Sequence, residues 1–289
     1  MFRFRFFIAI FFLFFVLNET QAESLIARKF TVYAYLPWTN DAAALSDILL
    51  TYGIQPIKVI YEKDYFTQGQ VSQEKIKKIA EGTFQEPGIP VSFDFEFGNR
   101  FKPETIIPRM KAILAAYHRF QARAPVGIYA ILPQNTYGWK LTLQSYDALN
   151  AKYQTLINEV DFLSPSLYNY NGRNFQAWSA SARYNIQAAK KYLPRKPIIP
   201  YISPIYKRGS SDKAKNGTLV EELDEAAMRE RLQLLADLGA SGCIIWASSQ
   251  DRTADGQRPT FSPTAAWGKA VVEFVKTHSS QKESDYVDR

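Results

Sequence analysis

Seven short apolar runs, each followed by a longer stretch with helical periodicity, constrain this chain more than any other feature. The runs are Phe30–Trp38, Ile54–Tyr61, Ile89–Phe97, Pro125–Leu132, Val160–Tyr168, Pro197–Pro204 and Ser241–Ala247. Each is rich in Val, Ile, Phe or Tyr and bounded by Gly, Pro or Asn, as buried strands are. Between them, Pro108–Gln121 sets Met110, Ile113, Leu114 and Tyr117 at the spacing of one helix face. Glu221–Leu238 repeats that pattern and ends on Gly239, a residue suited to closing a helix. Such alternation predicts a parallel sheet covered by helices. The expected fold is an α/β, TIM-like (β/α) barrel. A seven-stranded or irregular ring is as open as the regular eight, because Lys207–Thr218 (KRGSSDKAKNGT) reads as a polar loop where a further strand could stand. A doubly wound open sheet is the alternative, but neither G-x-G-x-x-G nor G-x-x-x-x-G-K-[ST] follows any run.

The first 22 residues stand apart from this pattern. Arg3 and Arg5 precede 12 apolar residues, Phe6–Leu17, and Thr20 and Ala22 lie where a signal peptidase would cut. That is the layout of a secretory signal peptide; the alternative is an uncleaved membrane anchor, against which the apolar stretch is too short to span a bilayer. We therefore expect a signal peptide over residues 1–22, one barrel over 23–277 and a polar, disordered tail over 278–289. Cleavage leaves about 267 residues, close to the ~250 of a single α/β barrel. No later stretch has the length of a membrane span, so an exported chain, secreted or periplasmic, is expected to stay out of the bilayer.

Side-chain chemistry narrows the function. Cys243 is the sole cysteine, so no intrachain disulfide forms, and its apolar run marks it as an inert core residue. Two histidines, His118 and His278, leave little room for a zinc site or a His-based triad, and no cofactor or metal is implied. The net charge of +7, or +6 without Arg3, Arg5 and Glu19, suits an anionic surface or substrate. No dense Lys/Arg run with interleaved aromatics points to nucleic acid. An aromatic content of 15% exceeds what a core alone needs and suits the C–H faces of sugars.

The segment Ile89-Pro-Val-Ser-Phe-Asp-Phe-Glu-Phe-Gly98 carries the sharpest signal. Strand alternation puts Ser92, Asp94 and Glu96 on one face and Val91, Phe93, Phe95 and Phe97 on the other. In a barrel the apolar set packs beneath helices, so both carboxylates point inward near the C-terminal strand end, where barrel enzymes keep their catalytic groups. Two neighbouring inward acids repel, which drives one toward its protonated form, as a general acid for a glycosidic bond requires. The bland alternative is an exposed acidic strand end or a pairing with a lysine, but so apolar a run makes idle buried acids costly. Carboxylates one residue apart reach a sugar from nearly the same side. That geometry suits enzymes in which the substrate's own acetamido oxygen is the nucleophile better than it suits an opposed pair.

Several motifs resemble the hyaluronidases of glycoside hydrolase family 56. Asp94-Phe95-Glu96 resembles the family's D-W-E, and Gly127-Ile-Tyr-Ala-Ile-Leu-Pro133 with Tyr137 resembles G-F-Y-G-F-P-x-x-Y. Phe162–Tyr168 resembles A-L-Y-P-S-I-Y, Pro197–Tyr201 resembles P-V-L-P-Y, and Val59-Ile-Tyr61 resembles I-F-Y. Leu238–Trp246 is close to G-A-x-G-[IV]-[VI]-[IL]-W. The resemblance implies that Glu96 is the acid/base and that Asp94 binds the acetamido nitrogen. It further implies that Tyr168 and Trp246 shape the N-acetyl pocket, with Tyr201, Tyr61 and Tyr137 along the groove. Tyr137 lies four residues beyond Pro133 where the family has three. The family's arginine three residues beyond its acid is Asn99 here, with Arg100 next to it.

The substrate implied is a polysaccharide or oligosaccharide containing N-acetylhexosamine: hyaluronan, chondroitin, or another acetamido polymer. Two other readings stay open. One is a conventional glycosidase whose second carboxylate is Asp161 or Asp251; the other is a barrel that binds glycans without cleaving them. Trp38 and Trp139, each just past a strand run, are candidate stacking surfaces for either.

Overall fold

The architecture follows from which neighbour each half-strand chooses. The structure is a computed structural model describing residues 30–38, 42–120, 122–136, 141–192, 194–208, 213–214 and 217–280. Its barrel strands are β1 (Thr31–Tyr35), β2 (Gln55–Pro56 and Lys58–Ile60), β3 (Val91–Phe93), β4 (Val126–Tyr129), β5 (Phe162–Ser164 and Ser166–Leu167), β6 (Tyr201–Ile202) and β7 (Gly242–Trp246). The helices that follow them are α1 (Ala42–Thr51), α2 (Gln73–Glu81), α3 (Ile107–Arg119), α4 (Leu143–Tyr153), α5 (Phe175–Tyr192), α6 (Glu225–Asp237) and α7 (Ala266–Ser280).

Every barrel pairing is parallel. β1 pairs with β7 (Tyr33↔Ile244) and with the first half of β2 (Tyr33↔Gln55). The second half of β2 pairs with β3 (Lys58↔Val91), β3 with β4 (Ser92↔Gly127), and β4 with the first half of β5 (Gly127↔Phe162). The second half of β5 pairs with β6 (Ser166↔Tyr201), and β6 with β7 (Tyr201↔Ile244). The two sheets thus share both edge strands, and the neighbour relations return to β1. Among the described residues this is a (β/α) barrel arrangement of seven strands, its ladder interrupted within β2 and β5, rather than a doubly wound open sheet. Each interrupted strand has a proline at its break, Pro56 and Pro165, where a ring nitrogen has no N–H to give a ladder.

Alternation divides the core in two. Val91, Phe93, Ile128, Leu163 and Ile245 face outward and pack in one cluster with Ile76, Met110, Ile113, Leu114 and Leu232 of the helices. Ile57, Phe162, Ile199, Tyr201 and Ile244 face inward and fill the barrel's interior, with Tyr33, Tyr35, Tyr129, Tyr168 and Trp246 packed on them. Cys243 is buried outside the ring, and burial pushes its thiol well up, as an inert core residue requires.

Four sequence expectations meet corrections or limits. The polar stretch 207–218 is not a plain loop: Ile205–Lys207, Lys213–Ala214 and Gly217–Glu222 form an antiparallel ribbon. Its polar tip hid buried flanks, Ile205, Tyr206 and Val220. Because that ribbon runs to Glu222, α6 starts four residues later than its periodicity suggested, with the Asp224 carboxylate accepting from Ala227 N at 2.7 Å as the N-cap. α7 continues past residue 277 to Ser280, and the His278 ring stacks on Phe274 at 3.8 Å. The signal-peptide stretch 1–22 and tail residues 281–289 lie outside the described residues, among which no helix is long and apolar enough to cross a membrane.

One close approach fixes the barrel's lower interior. A Cβ built on Gly127 would lie 2.3 Å from the Phe162 ring, so the phenylalanine fills the barrel only because its partner on β4 has no side chain. Gly127→Ala should therefore destabilise the fold by about 1–3 kcal/mol through overpacking, read as a lower denaturant midpoint at unchanged slope. An unchanged midpoint would refute this packing.

Candidate active site

β3 hands its alternation to the residues beyond it. The Phe93, Phe95 and Phe97 rings succeed one another at 5.6 Å against the helices, and Arg109 of α3 lies over the Phe97 ring at 5.3 Å. Asp94 and Glu96 are turned the other way. Asp94 N still donates to Ile60 O of β2 at 2.9 Å, and Tyr65 Oη donates to the Asp94 carbonyl at 2.7 Å, so the backbone is held just past the ladder's end. Gly98 then turns the chain at φ +74°, in a place where a Cβ would lie 2.2 Å from Ile106.

The two acids differ in environment. Asp94 is half-buried, and its Oδ1 is buried without a hydrogen-bond partner; Glu96 is exposed in the cleft. Burial, followed by the charge of Glu96, raises the Asp94 carboxyl to about 7, with Arg100 pulling it down and Glu62 pushing it up. The repulsion read from the sequence thus falls on the aspartate.

An aromatic wall stands opposite. Tyr129 ends β4, Tyr168 follows β5, Tyr201 lies in β6 and Trp246 ends β7. Tyr168 stacks on Trp246 (centroids 5.4 Å apart, planes at 22°) and on Tyr129 (5.8 Å, 27°), and Tyr129 meets Tyr201 edge-on at 4.9 Å. Trp246 Nε1 donates to Tyr61 Oη at 3.0 Å, which ties β7 to β2 across the rim. Burial holds the Tyr129, Tyr168 and Tyr201 hydroxyls well above the ordinary tyrosine range, so all three are neutral phenols able to donate.

The cleft has two arms that meet at the acids. The larger cavity, about 840 Å³, is walled by Tyr168, Tyr201 and Trp246 and roofed by Lys207 and Thr218 of the ribbon. The smaller, about 390 Å³, is walled by Arg100, Phe101, Asn135 and Tyr146. Asp94, Glu96, Tyr129 and Tyr170 line both.

The structure gathers most of the residues chosen from sequence. Asp94, Glu96, Tyr168, Tyr201 and Trp246 line the cleft, with Tyr201 as its buried floor, whereas Tyr61 braces Trp246 from behind. Tyr137 and Trp139 lie outside the described residues. Arg100, displaced by one position in sequence, still reaches the smaller arm and donates to Ala130 O at 3.0 Å. Trp38 belongs to the core, edge-on to Trp267 at 5.9 Å, and is no stacking surface. Asp161 precedes β5 at the opposite end of the barrel, where it accepts from Val126 N at 2.8 Å, so it cannot be a second catalytic carboxylate. Asp251 lines the larger arm but is 1% exposed and accepts from Ser248 N at 2.8 Å, a structural post for the turn after β7.

Sequence reasoning missed Tyr129, Tyr170, Asn135 and Ser166. Tyr129 sat inside a quoted motif, and period-two alternation from Gly127 would have turned it inward. Tyr170 and Asn135 lie in loops, where no periodicity marks a direction.

The fold is similar to that of bee venom hyaluronidase in a crystal structure with a hyaluronic acid tetramer. Identity is 19%, the match covers 76% of this chain and 91% of that one, and the TM-score is 0.56. A monoclinic crystal structure of bee venom hyaluronidase gives 18%, 76%, 91% and 0.55. A glucosidase from Croceicoccus marinus matches at 14% identity over 84% of this chain and 55% of that one, with a TM-score of 0.50. No family model and no curated protein matches the chain. At these identities the likeness establishes the fold, a (β/α) barrel, and leaves the chemistry to the site itself.

Proposed function

We propose that this chain is an exported, endo-acting retaining glycoside hydrolase of an N-acetylhexosamine-containing glycan. The observation that carries the reading is the acid pair at the junction of two cleft arms, with the more buried acid raised to about 7. A polymer laid along both arms crosses the acids in mid-chain, which suits internal cleavage.

Glu96, exposed in the cleft, protonates the glycosidic oxygen as that bond breaks. The acetamido oxygen of the same sugar attacks C1, forming a cyclic oxazolinium ion. Asp94, as carboxylate, accepts the acetamido N–H. Because burial makes this carboxylate unfavourable by itself, it gains most when the nitrogen becomes cationic, so it binds the transition state better than the substrate. Glu96, now ionised, takes a proton from water as water opens the ring at C1, and retention follows from two inversions. Tyr168, Trp246 and Tyr201 supply a wall of neutral rings that excludes water from the acetamido pocket.

The charge on the arms supports an anionic polymer such as hyaluronan or chondroitin over chitin. Arg100 stands in the smaller arm and Lys207 in the larger, whereas the Arg208 guanidinium is engaged by Glu221.

Two measurements test this reading. Reducing-end release from hyaluronan, chondroitin, chitin oligomers and peptidoglycan should reveal one acetamido substrate. Glu96→Gln should lower that rate by about 10²–10⁴-fold with the fold intact; undiminished turnover would remove Glu96 from the chemistry. The second concerns Asp94. Its folded carboxyl stays protonated to about pH 7, whereas the unfolded one ionises near the ordinary value of 3.8, so native stability is lost as pH rises between the two. Asp94→Asn should leave thermal stability unchanged near pH 4, raise it progressively through pH 7, and hold the gain above. A gain largest at low pH would contradict a buried, raised aspartate.

A further inference from the structure

One buried cation has no place in the chemistry proposed above. Arg231 of α6 is 1% exposed, and among the described residues it takes part in no ion pair. Burial pulls its guanidinium below the usual arginine range, so its position has a cost. Three rings and two acceptors offset that cost. The guanidinium carbon lies 5.0 Å from the Trp178 ring centre, 5.6 Å from that of Phe175 and 5.7 Å from that of Tyr206. Nη1 donates to Ala227 O, one turn back on α6, at 2.8 Å, and Nε donates to Asn169 Oδ1 at 2.9 Å. The Asn169 amide is thereby fixed in one orientation, because a guanidinium only donates. Its Nδ2 is left facing the other way, where it donates to Ser203 O at 2.9 Å and to Ile205 O at 2.8 Å.

Asn169 sits where three parts of the larger arm meet. It separates Tyr168 from Tyr170 in a three-residue turn, closed by Tyr170 N donating to Tyr168 O at 2.8 Å, and all three residues line the arm. Ser203 follows β6, and Ile205 opens the ribbon, whose returning strand leads to Leu223 N, a donor to Pro204 O at 2.9 Å. Trp178 Nε1 ties the same joint to α5 by donating to Leu167 O at 2.7 Å. We propose that Arg231 is the positioning residue of the larger arm: by fixing the Asn169 amide it sets Tyr168 and Tyr170 in the wall and holds the ribbon, with Lys207 and Thr218, over the cavity. A planar fork does this where an ammonium cannot, since Nε and Nη1 reach Asn169 and α6 together while the flat faces pack on the rings. The lock is a property of the protein alone; that a glycan chain lies in the arm it shapes rests on the reading above.

Hydrogen exchange on the full-length protein tests the lock. Asn169→Asp gives Arg231 a carboxylate to pair with but leaves no donor for Ser203 O and Ile205 O. Arg231→Met removes the cation and lets the amide turn over. In both variants, exchange across residues 201–208 and 217–223 should quicken about tenfold, the scale of one charge-assisted hydrogen bond, with β1–β4 unchanged. An arginine that merely stabilises the fold predicts the opposite for Asn169→Asp, where neutralising the buried charge slows exchange everywhere. Unchanged ribbon exchange in Asn169→Asp, or a uniform rise throughout the molecule, overturns the lock, even where Arg231→Met does not fold. Calorimetry with a hyaluronan decasaccharide then reads the consequence in Glu96→Gln protein, which holds the ligand uncleaved. Arg231→Met added to that background should weaken binding about tenfold, and Arg231→Lys by a similar factor, because the ammonium keeps the charge without the fork. Full affinity in either variant would refute the positioning role. If Glu96→Gln itself binds no hyaluronan, the glycan reading falls, and the exchange pattern still decides the lock.

Discussion

Everything in the site depends on one strand's being unable to face any other way. Phe93, Phe95 and Phe97 are each buried against the helices, and together they take a large apolar area out of water. At about 25 cal/mol per Å² and 150–250 Å² per aromatic, this amounts to roughly 11–19 kcal/mol as an upper bound. Shifting the register by one residue would expose all three rings and bury both acids among helices. The rings therefore hold Asp94 and Glu96 inward, and they offset the cost of leaving a half-buried carboxyl without a partner. The acids are where they are because the phenylalanines are where they are.

The same period-two logic explains which features were readable. All seven strands were legible because each carries a dense apolar run, and inward residues such as Tyr168, Tyr201 and Trp246 fall on the same parity as the inner cluster. Closure at seven was legible only as one option, since the pairing of β2 and β5 with different neighbours in their two halves leaves no trace in composition. The ribbon over the larger arm escaped because its strands are only partly covered: Thr218, Leu219 and Glu221 stay half-exposed, and a polar tip of Gly, Ser and Lys dominates the window. Arg100 shows the limit of spacing arguments. Counting along the chain displaced it by one residue from the motif, yet the turn at Gly98 brings its guanidinium to the smaller arm and its charge to bear on Asp94.

Electrostatics in the cleft are set by what surrounds the pair more than by the pair itself. Tyr129, Tyr168, Tyr201 and Trp246 provide polarisable rings and few charges, so the interaction between Asp94 and its neighbours is weakly screened. Arg100 lines the smaller arm and acts on Asp94, and Lys207 lines the larger. A site arranged in this way separates two tasks. The arms carry cationic groups, and the aromatic surroundings of Asp94 are apolar enough for a small change of nearby charge to be felt strongly by that carboxyl.

The Phe162 ring seated on Gly127 has a consequence at the opposite end of the barrel. With Ile57, Ile199 and Ile244 clustered around it, that ring fills the interior with apolar side chains, while Asp94 lines the cleft. What remains for Asp94 to meet is therefore the cleft alone, and whatever changes its proton count must come from that one side.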